Sequence, residues 1–433
     1  MMDYDLVHNH SLNLRSVYAK QEYRGFFPSY LDPLGQVDEV QLFANSPKLY
    51  SSHGIGLSVL TLPGYVLGQA KGVEIEMVLT SVLVVWLSWV WVKVTTGNRK
   101  LAYLSSGALT TGLFFSEAAG YIYPDIPIAA LILGALIILH KYYNKPWPQF
   151  AFGLLVGILP FFHLKTLSIA APLLLIITYR WWRHKKSLPW PAYYSAVPLL
   201  VLFFISQHAW FGVWNPSAIY SLSSTFTLSP INSVPAMLFD YKLGLLTYSP
   251  ILLLVFVGIV PWAKKSLISF LIALVALLPS LLMMTGFNGW QGGASPAGRY
   301  FMEFVPALMP ALAFAIDALR RNWQRISVAL LWLIGVTFTI IALVTKAPYS
   351  DDTDTHSLPP IFVSIQNQTG LEAYKLFPKY TKVSTDVVGS KTRLKAVIGS
   401  IVVAASVGYG YILMNPEFLK EHVRPALNKK VWK

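Results

Sequence analysis

SLISFLIALVALLPSLLMMT, residues 266–285, is a run of twenty residues without one ionisable side chain. That length crosses the hydrocarbon core of a bilayer as a helix, and in lipid only helices and closed barrels satisfy their own backbone polar groups. Lys264 and Lys265 stand immediately before it. The same pairing of an apolar run with a short basic flank recurs along the chain. Working outward from 266–285 gives eleven predicted spans, near 74–94, 101–117, 125–140, 149–162, 166–180, 191–208, 248–263, 266–285, 302–319, 326–345 and 395–413. The fold class is therefore an all-α membrane protein, a polytopic helical bundle. Composition agrees: of 433 residues, 55% are hydrophobic and only 12% charged. A soluble domain carries about 25% charged residues, so this chain has too few to clothe a water-facing surface.

The formal net charge of +14 does not indicate nucleic acid, because the cations sit in short clusters between apolar runs and not on a soluble domain. One set of connections holds Lys93, Arg99 and Lys100; Lys141 and Lys145; Arg180, Arg183, Lys185 and Lys186; Lys264 and Lys265; Arg320, Arg321 and Arg325; and a tail with Lys420, Arg424, Lys429, Lys430 and Lys433. The alternate connections hold Lys165, Lys242 or Arg299 alone. This alternation puts the basic set in the cytoplasm, and with it an inner-membrane, multi-pass protein whose lightly charged bends face outward. Four regions result: an extracytoplasmic segment with an interfacial helix (1–73), the membrane bundle (74–345), an outer loop (346–394), and a last span with a basic cytoplasmic tail (395–433). The glycine- and proline-broken stretches 54–72 and 232–250 suit helices lying at the outer interface. Residues 1–53 fall outside without a signal peptide to carry them there. The expectation is an N-terminal span preceding this chain, the alternative a genuine N-out protein.

With that topology, ionisable groups at the outer ends of spans are the candidates for chemistry, because charge there is costly. In SEAAGYIYPDIPIAA, Glu117 and Asp125 stand at opposite ends of a short connection. Pro124 and Pro127 favour a helix starting at Asp125, so this acid reads either as a helix N-terminal carboxylate or as a carboxylate facing an outer cavity. His163 and Lys165 occupy the next outer turn, LPFFHLKTLS, with no acid nearby in sequence; Lys165 is either a snorkelling anchor or a phosphate ligand. Asp240 and Lys242 either pair locally or present Asp240 to the same cavity. In GWQGGASPAGRY, residues 289–300, four glycines let backbone N–H groups approach an anion, and Arg299 adds a guanidinium fork suited to phosphate. Glu303, one turn on, is placed to orient it. Cysteine is absent, so no thiolate site exists. No P-loop, HExxH, GxSxG or metal-spaced histidine cluster occurs. No metal ligand set is assigned, and a divalent cation stays open because carboxylates suit hard cations.

Four segments together resemble the GT-C superfamily of polytopic glycosyltransferases, which includes protein O-mannosyltransferases and aminoarabinose transferases. SSHGIGLSVLTLPGYVLG is similar to their HxPGLPLLLxPxYxLG segment, YPDIPIAALILGAL to YPE(D)xPxAL, MLFDYKLGLLTYSPILLL to LLFDxxxGLLxYxP, and GWQGGASPAGRYFMEFVPALMPALA to GGxSxGxRYLxPxLP. The likeness runs in order over about residues 1–345. It implies an inverting transfer from a polyprenyl-phosphate-linked sugar donor to an extracytoplasmic acceptor (lipid, glycan or protein), with a carboxylate as general base. It further implies that Asp125 is the acid of the second outer loop and that Arg299 partners the departing phosphate. His163 and Lys165 fall where relatives carry HxRY, and His53 begins the HxPGLP-like segment. The family's acidic motif, usually Asp-Glu-Pro, would lie just before Met1, so the resemblance implies a chain that lacks its base, in which case it is inactive as it stands. A flippase for a lipid-linked glycan is the alternative, expected to show an internal repeat and midplane charges, neither of which is seen. A non-catalytic remnant is the third.

Overall fold

The computed structural model describes residues 2–22, 50–51, 54–119, 121–216, 230–286, 297–345, 358–378 and 390–415. These residues form helices in the order α1 (Met2–His8), α2 (Arg15–Ala19), α3 (Gly56–Thr96), α4 (Arg99–Thr110), α5 (Leu113–Ala118) and α6 (Asp125–Ile137). Next come α7 (Pro146–Phe162), α8 (Leu167–Lys185), α9 (Trp190–Phe211), α10 (Pro230–Phe239), α11 (Leu245–Tyr248) and α12 (Leu253–Lys265). The last are α13 (Leu267–Thr285), α14 (Val305–Ala318), α15 (Asn322–Thr345), α16 (Pro360–Thr369) and α17 (Ser390–Met414).

Among the described residues, 7 helices are long and apolar enough to cross a membrane, and they coincide with seven of the eleven predicted spans. The other four are shorter or broken, and the sequence says why. Span 101–117 divides into α4 and α5 around Gly112. The expected span 248–263 opens with a 3-10 turn at Pro250 and continues as a helix with Pro261 inside it. α7 and α14, each with a proline near its start and another inside, have 17 and 14 residues. A proline removes a helix hydrogen bond and bends what remains. The expected interfacial helix 54–72 and the span 74–94 are joined as α3, with non-helical backbone at Gly68 and Gln69. There the chain turns back on itself. A Cβ on Gly72 would fall on the Gly64 carbonyl, and Glu76 Oε2 accepts the Gly64 N–H at 2.8 Å.

The chain divides into two compact units. The first comprises residues 1–84, 119–227 and 275–280, the second 85–118, 228–274 and 281–433. In the first, α7 packs on α9 through the small residues of GLLVG (153–157): a Cβ on Gly153 would land on the Ala192 carbonyl and the Ser195 hydroxyl. Ser195 Oγ donates to the Phe150 carbonyl at 2.8 Å. Close backbone approach of this kind is how helices associate when the solvent is as apolar as their side chains. In the second unit α12 is the central element. A Cβ on Gly258 would fall on the Ala311 carbonyl of α14, and one on Gly410 of α17 on the Val257 carbonyl. A separate cluster of Leu113, Tyr248, Ala297, Phe338, Ile361 and Phe362 seats α16 on α15.

Candidate functional site

In the first unit α6 begins at Asp125, as the flanking prolines predict, and Asp125 is 1% exposed. α7 ends at Phe162, and a 3-10 turn (Leu164–Thr166) leads into α8. His163 braces that turn. Its Nδ1 accepts the Lys165 N–H at 3.2 Å, and its carbonyl accepts the Thr166 hydroxyl at 2.8 Å. Lys165, 8% exposed, is turned inward, and its Nζ donates to Asp125 Oδ1 at 2.7 Å. Sequence reading found no acid near Lys165; the partner comes from 40 residues away. Asp125 thus stands on a helix N-terminus, the first of its two readings, and is the counter-charge of a buried cation; these contacts do not bear on the reading that it faces an outer cavity.

The segment that follows His53 lies beside the same turn. A Cβ on Gly54 would overlap the Phe161 carbonyl, and one on Gly56 would meet the Phe161 carbonyl carbon at 2.8 Å. Only glycine permits that approach, so Gly54–Gly56 is drawn against the end of α7 directly before His163. His53 itself lies outside the described residues. The side chain of Glu117, near the end of α5, lies outside them as well. The first unit thus gathers Gly54–Gly56, the His163–Lys165 turn and Asp125 at one end of its helices. Residues that sequence reading passed over are Asp3 and Asp5. Thr61 Oγ1 of α3 donates to Asp3 Oδ2 at 3.0 Å. Burial pushes the Asp3 carboxyl above the usual carboxylate range, with the Thr61 and Ser58 hydroxyls pulling the other way. Asp5 is fully buried, its Oδ1 accepting from Asn9 Nδ2 at 2.7 Å.

In the second unit Asp240 follows α10 and closes a turn: Oδ1 accepts the N–H of Lys242 at 2.8 Å and of Leu243 at 2.9 Å. Of the two readings for this pair, local bonding is what these contacts support, through the lysine backbone. Lys242 is itself only 8% exposed. The Arg299 turn docks on this segment, Gly298 N–H reaching the Leu243 carbonyl at 2.9 Å. Gly298 is left-handed, at φ 68, against Leu245, so glycine is required here both for backbone and for space. Arg299 is half-buried in a short 3-10 turn, its guanidinium 6.0 Å from the centre of the Tyr300 ring. Glu303 is fully buried. The glycines at 289–296 lie outside the described residues.

Each unit separates its charges by end. In the second, α12 and α14 run parallel, because Gly258 meets Ala311 midway and Lys265 Nζ pairs with Asp317 Oδ2 at 2.5 Å where both helices finish. Arg299 and Glu303 precede α14 and so stand at the opposite end, about 20 Å away by helix rise. Lys264 reaches Asn415, just past α17, at 2.8 Å, and Arg320 and Arg321 are bound by Gln324 at the start of α15. In the first unit Asp125, His163 and Lys165 occupy one end of α6, α7 and α8; Lys141, Lys145 and Arg180 occupy the other. Among the described residues no three His, Asp or Glu side chains group as metal ligands would.

Comparison with protein-family models and with curated proteins finds no match. Among solved structures the chain is similar to ArnT from Cupriavidus metallidurans bound to undecaprenyl phosphate. The TM-score is 0.50 at 14% identity, covering 84% of this chain and 66% of that one. The apo ArnT structure aligns at a TM-score of 0.47 and 14% identity, over 84% of this chain and 64% of that one. The chain thus spans just under two thirds of the length of that protein. The likeness shows the fold: a polytopic, all-helical membrane architecture like that of ArnT.

Proposed function

We propose that the protein is a membrane glycosyltransferase, moving a sugar from a polyprenyl-phosphate-linked donor to an acceptor hydroxyl on the extracytoplasmic side of the inner membrane. The acceptor class, whether lipid, glycan or protein, is left to experiment. The observation that carries this reading is the segregation of charge. In each unit the buried or half-buried charged groups (Asp125 and Lys165 in the first, Arg299 and Glu303 in the second) stand at the end opposite the basic clusters. Under the positive-inside rule the basic ends are cytoplasmic, which leaves the other ends to meet a donor presented outside. The ArnT-like fold supports it, since that neighbour was solved with undecaprenyl phosphate.

In this reaction a carboxylate removes the proton of the acceptor hydroxyl, and the resulting oxygen attacks the anomeric carbon from the face opposite the phosphate. The bond from that carbon to the phosphate oxygen breaks with its electron pair going to oxygen, releasing polyprenyl phosphate and an inverted glycoside. Asp125 and Glu117 are the candidate carboxylates. Cations near the departing oxygen lower the barrier by meeting charge as it develops. Lys165 in the first unit, beside His163, and Arg299 in the second, the unit of Asp240 and Glu303, are the candidates for that role, and His53 is a further candidate ligand.

The test is a proteoliposome assay with radiolabelled polyprenyl-phosphate-linked sugar and extracted envelope acceptors. Transfer is expected to release free polyprenyl phosphate in step with labelled product. Movement of label across the bilayer without transfer would instead make the protein a flippase. Within that assay Arg299→Gln is expected to lower kcat roughly 10- to 150-fold, the value of one hydrogen bond to a charged group, about 1.5–3 kcal/mol. The unfolding midpoint should stay near that of the unaltered protein, because Arg299 is half-buried and its neighbour Tyr300 keeps its packing against Ala236 and Met237.

A further inference from the structure

The end of the first unit opposite Asp125 has a chemistry of its own. Between Asp125 and Asp240 the chain carries no aspartate or glutamate at all, yet this end gathers cations from two hairpins. α6 runs into a π-helical turn at Ile138–Tyr142, and such turns disturb the regular pairing of backbone carbonyls. Arg180, from the last part of α8, donates Nη1 to the Leu139 carbonyl, and its guanidinium lies 3.9 Å from the centre of the Tyr143 ring. Gln149 Nε2 of α7 holds the Tyr143 carbonyl at 2.8 Å. Arg180 thereby ties the 141–145 bend to the 183–187 bend. Lys141, Lys145, Arg183, Lys185 and Lys186 are all exposed there, and none has a carboxylate partner among the described residues.

Two further observations say what kind of anion this is for. Trp147, Trp182 and Trp190 are 75%, 48% and 51% exposed on the same bends. Indoles settle at the depth of lipid headgroups, and a soluble anion would gain nothing from them. The last α8 turn also ends on Lys186, whose φ of 55 is left-handed. That is a position where glycine is favoured and a lysine is strained. A charged side chain thus stands where the backbone would favour glycine, and Lys186 Nζ sits 4.7 Å over Trp182.

We infer that this rim is a binding site for the phosphate headgroup of an anionic glycerophospholipid of the surrounding bilayer. Arg180 is the positioning residue, the five exposed cations are the ligands, and the tryptophans mark the headgroup plane. The inference does not depend on the catalytic reading above. It is tested on the full-length protein in a neutral detergent, titrated with phosphatidylglycerol, with phosphatidylcholine of the same acyl chains, or with inorganic phosphate. The readouts are the unfolding midpoint and bound lipid by native mass spectrometry. Phosphatidylglycerol alone is expected to raise the midpoint and persist as an adduct. An equal effect of phosphatidylcholine or of inorganic phosphate overturns the proposal. Lys186→Gly relieves the left-handed strain, so it is expected to fold at least as well as the parent while binding phosphatidylglycerol about fivefold more weakly, the effect of one cation near a membrane surface. The variant Lys141→Gln/Lys145→Gln/Lys185→Gln is expected to lose the adduct. Lys265→Gln, whose parent lysine already has Asp317, is expected to keep it. Parent-like lipid binding by both Lys186→Gly and the triple variant would overturn the site.

Discussion

Lys165→Met is expected to destabilise the protein by about 3–5 kcal/mol, the cost of stripping one partner from a buried ion pair. The lysine and Asp125 are 8% and 1% exposed and 2.7 Å apart. Methionine fills much the same volume, so packing is nearly conserved and the loss is electrostatic: a carboxylate stays inside without its ammonium. The double variant Asp125→Asn/Lys165→Met removes the stranded charge and is expected to regain most of the stability, because replacing both members of a buried pair is often neutral. Unfolding midpoints of parent, singles and double in one detergent close the cycle. If Lys165→Met proves no less stable than the double variant, the pair is not coupled and the inward turn at His163 has another cause.

Gly153→Val should be nearly as damaging, through shape alone. Its Cβ has nowhere to go but the Ala192 carbonyl and the Ser195 hydroxyl, which are backbone and an engaged side chain, so α7 and α9 must part. Overpacking at such a crossing costs about 3 kcal/mol, the upper end of the usual range. Parting also removes the Ser195-to-Phe150 hydrogen bond. Gly107 of α4 is the contrast: a Cβ there meets nothing within 4 Å. Gly107→Ala should be neutral or slightly stabilising, by the helix propensity gained. Yield of folded protein in membranes and midpoints in detergent read both, and equal behaviour of the two variants would argue that α7 and α9 do not meet at Gly153.

The membrane class and the ends at which charges gather were legible in the sequence because both rest on local properties. An apolar run such as 266–285 declares itself within its own window, and the lysines flanking it declare a side. Helix starts were equally local: Pro124 and Pro127 bracket the first turn of α6, and it begins between them, at Asp125. What the sequence hid was partnership at a distance. Nothing near Lys165 names Asp125, and nothing near Gly64 shows that residues 64 and 72 will press backbone to backbone across the bend at Gly68. Four of the eleven predicted spans appear among the described residues as shorter or broken apolar helices. Apolarity alone cannot tell a membrane-length helix from a shorter one stopped by proline, as in α12 and α14. The glycine-rich approach to Arg299 was read for its anion-binding backbone; the described part, Gly298, serves as well to fit the turn against Leu245.

The arrangement around α12 bears on how the protein is made. α12 meets α14 and α17 through glycines that leave no slack, yet α17 leaves the ribosome more than a hundred residues after α12. During synthesis the groove lined by Val257 and Pro261 must wait in the translocon's vicinity with only lipid or a membrane chaperone against it. The finished core of that unit is a post-insertion event, and any lesion that delays α17 should hand the nascent chain to quality-control proteases.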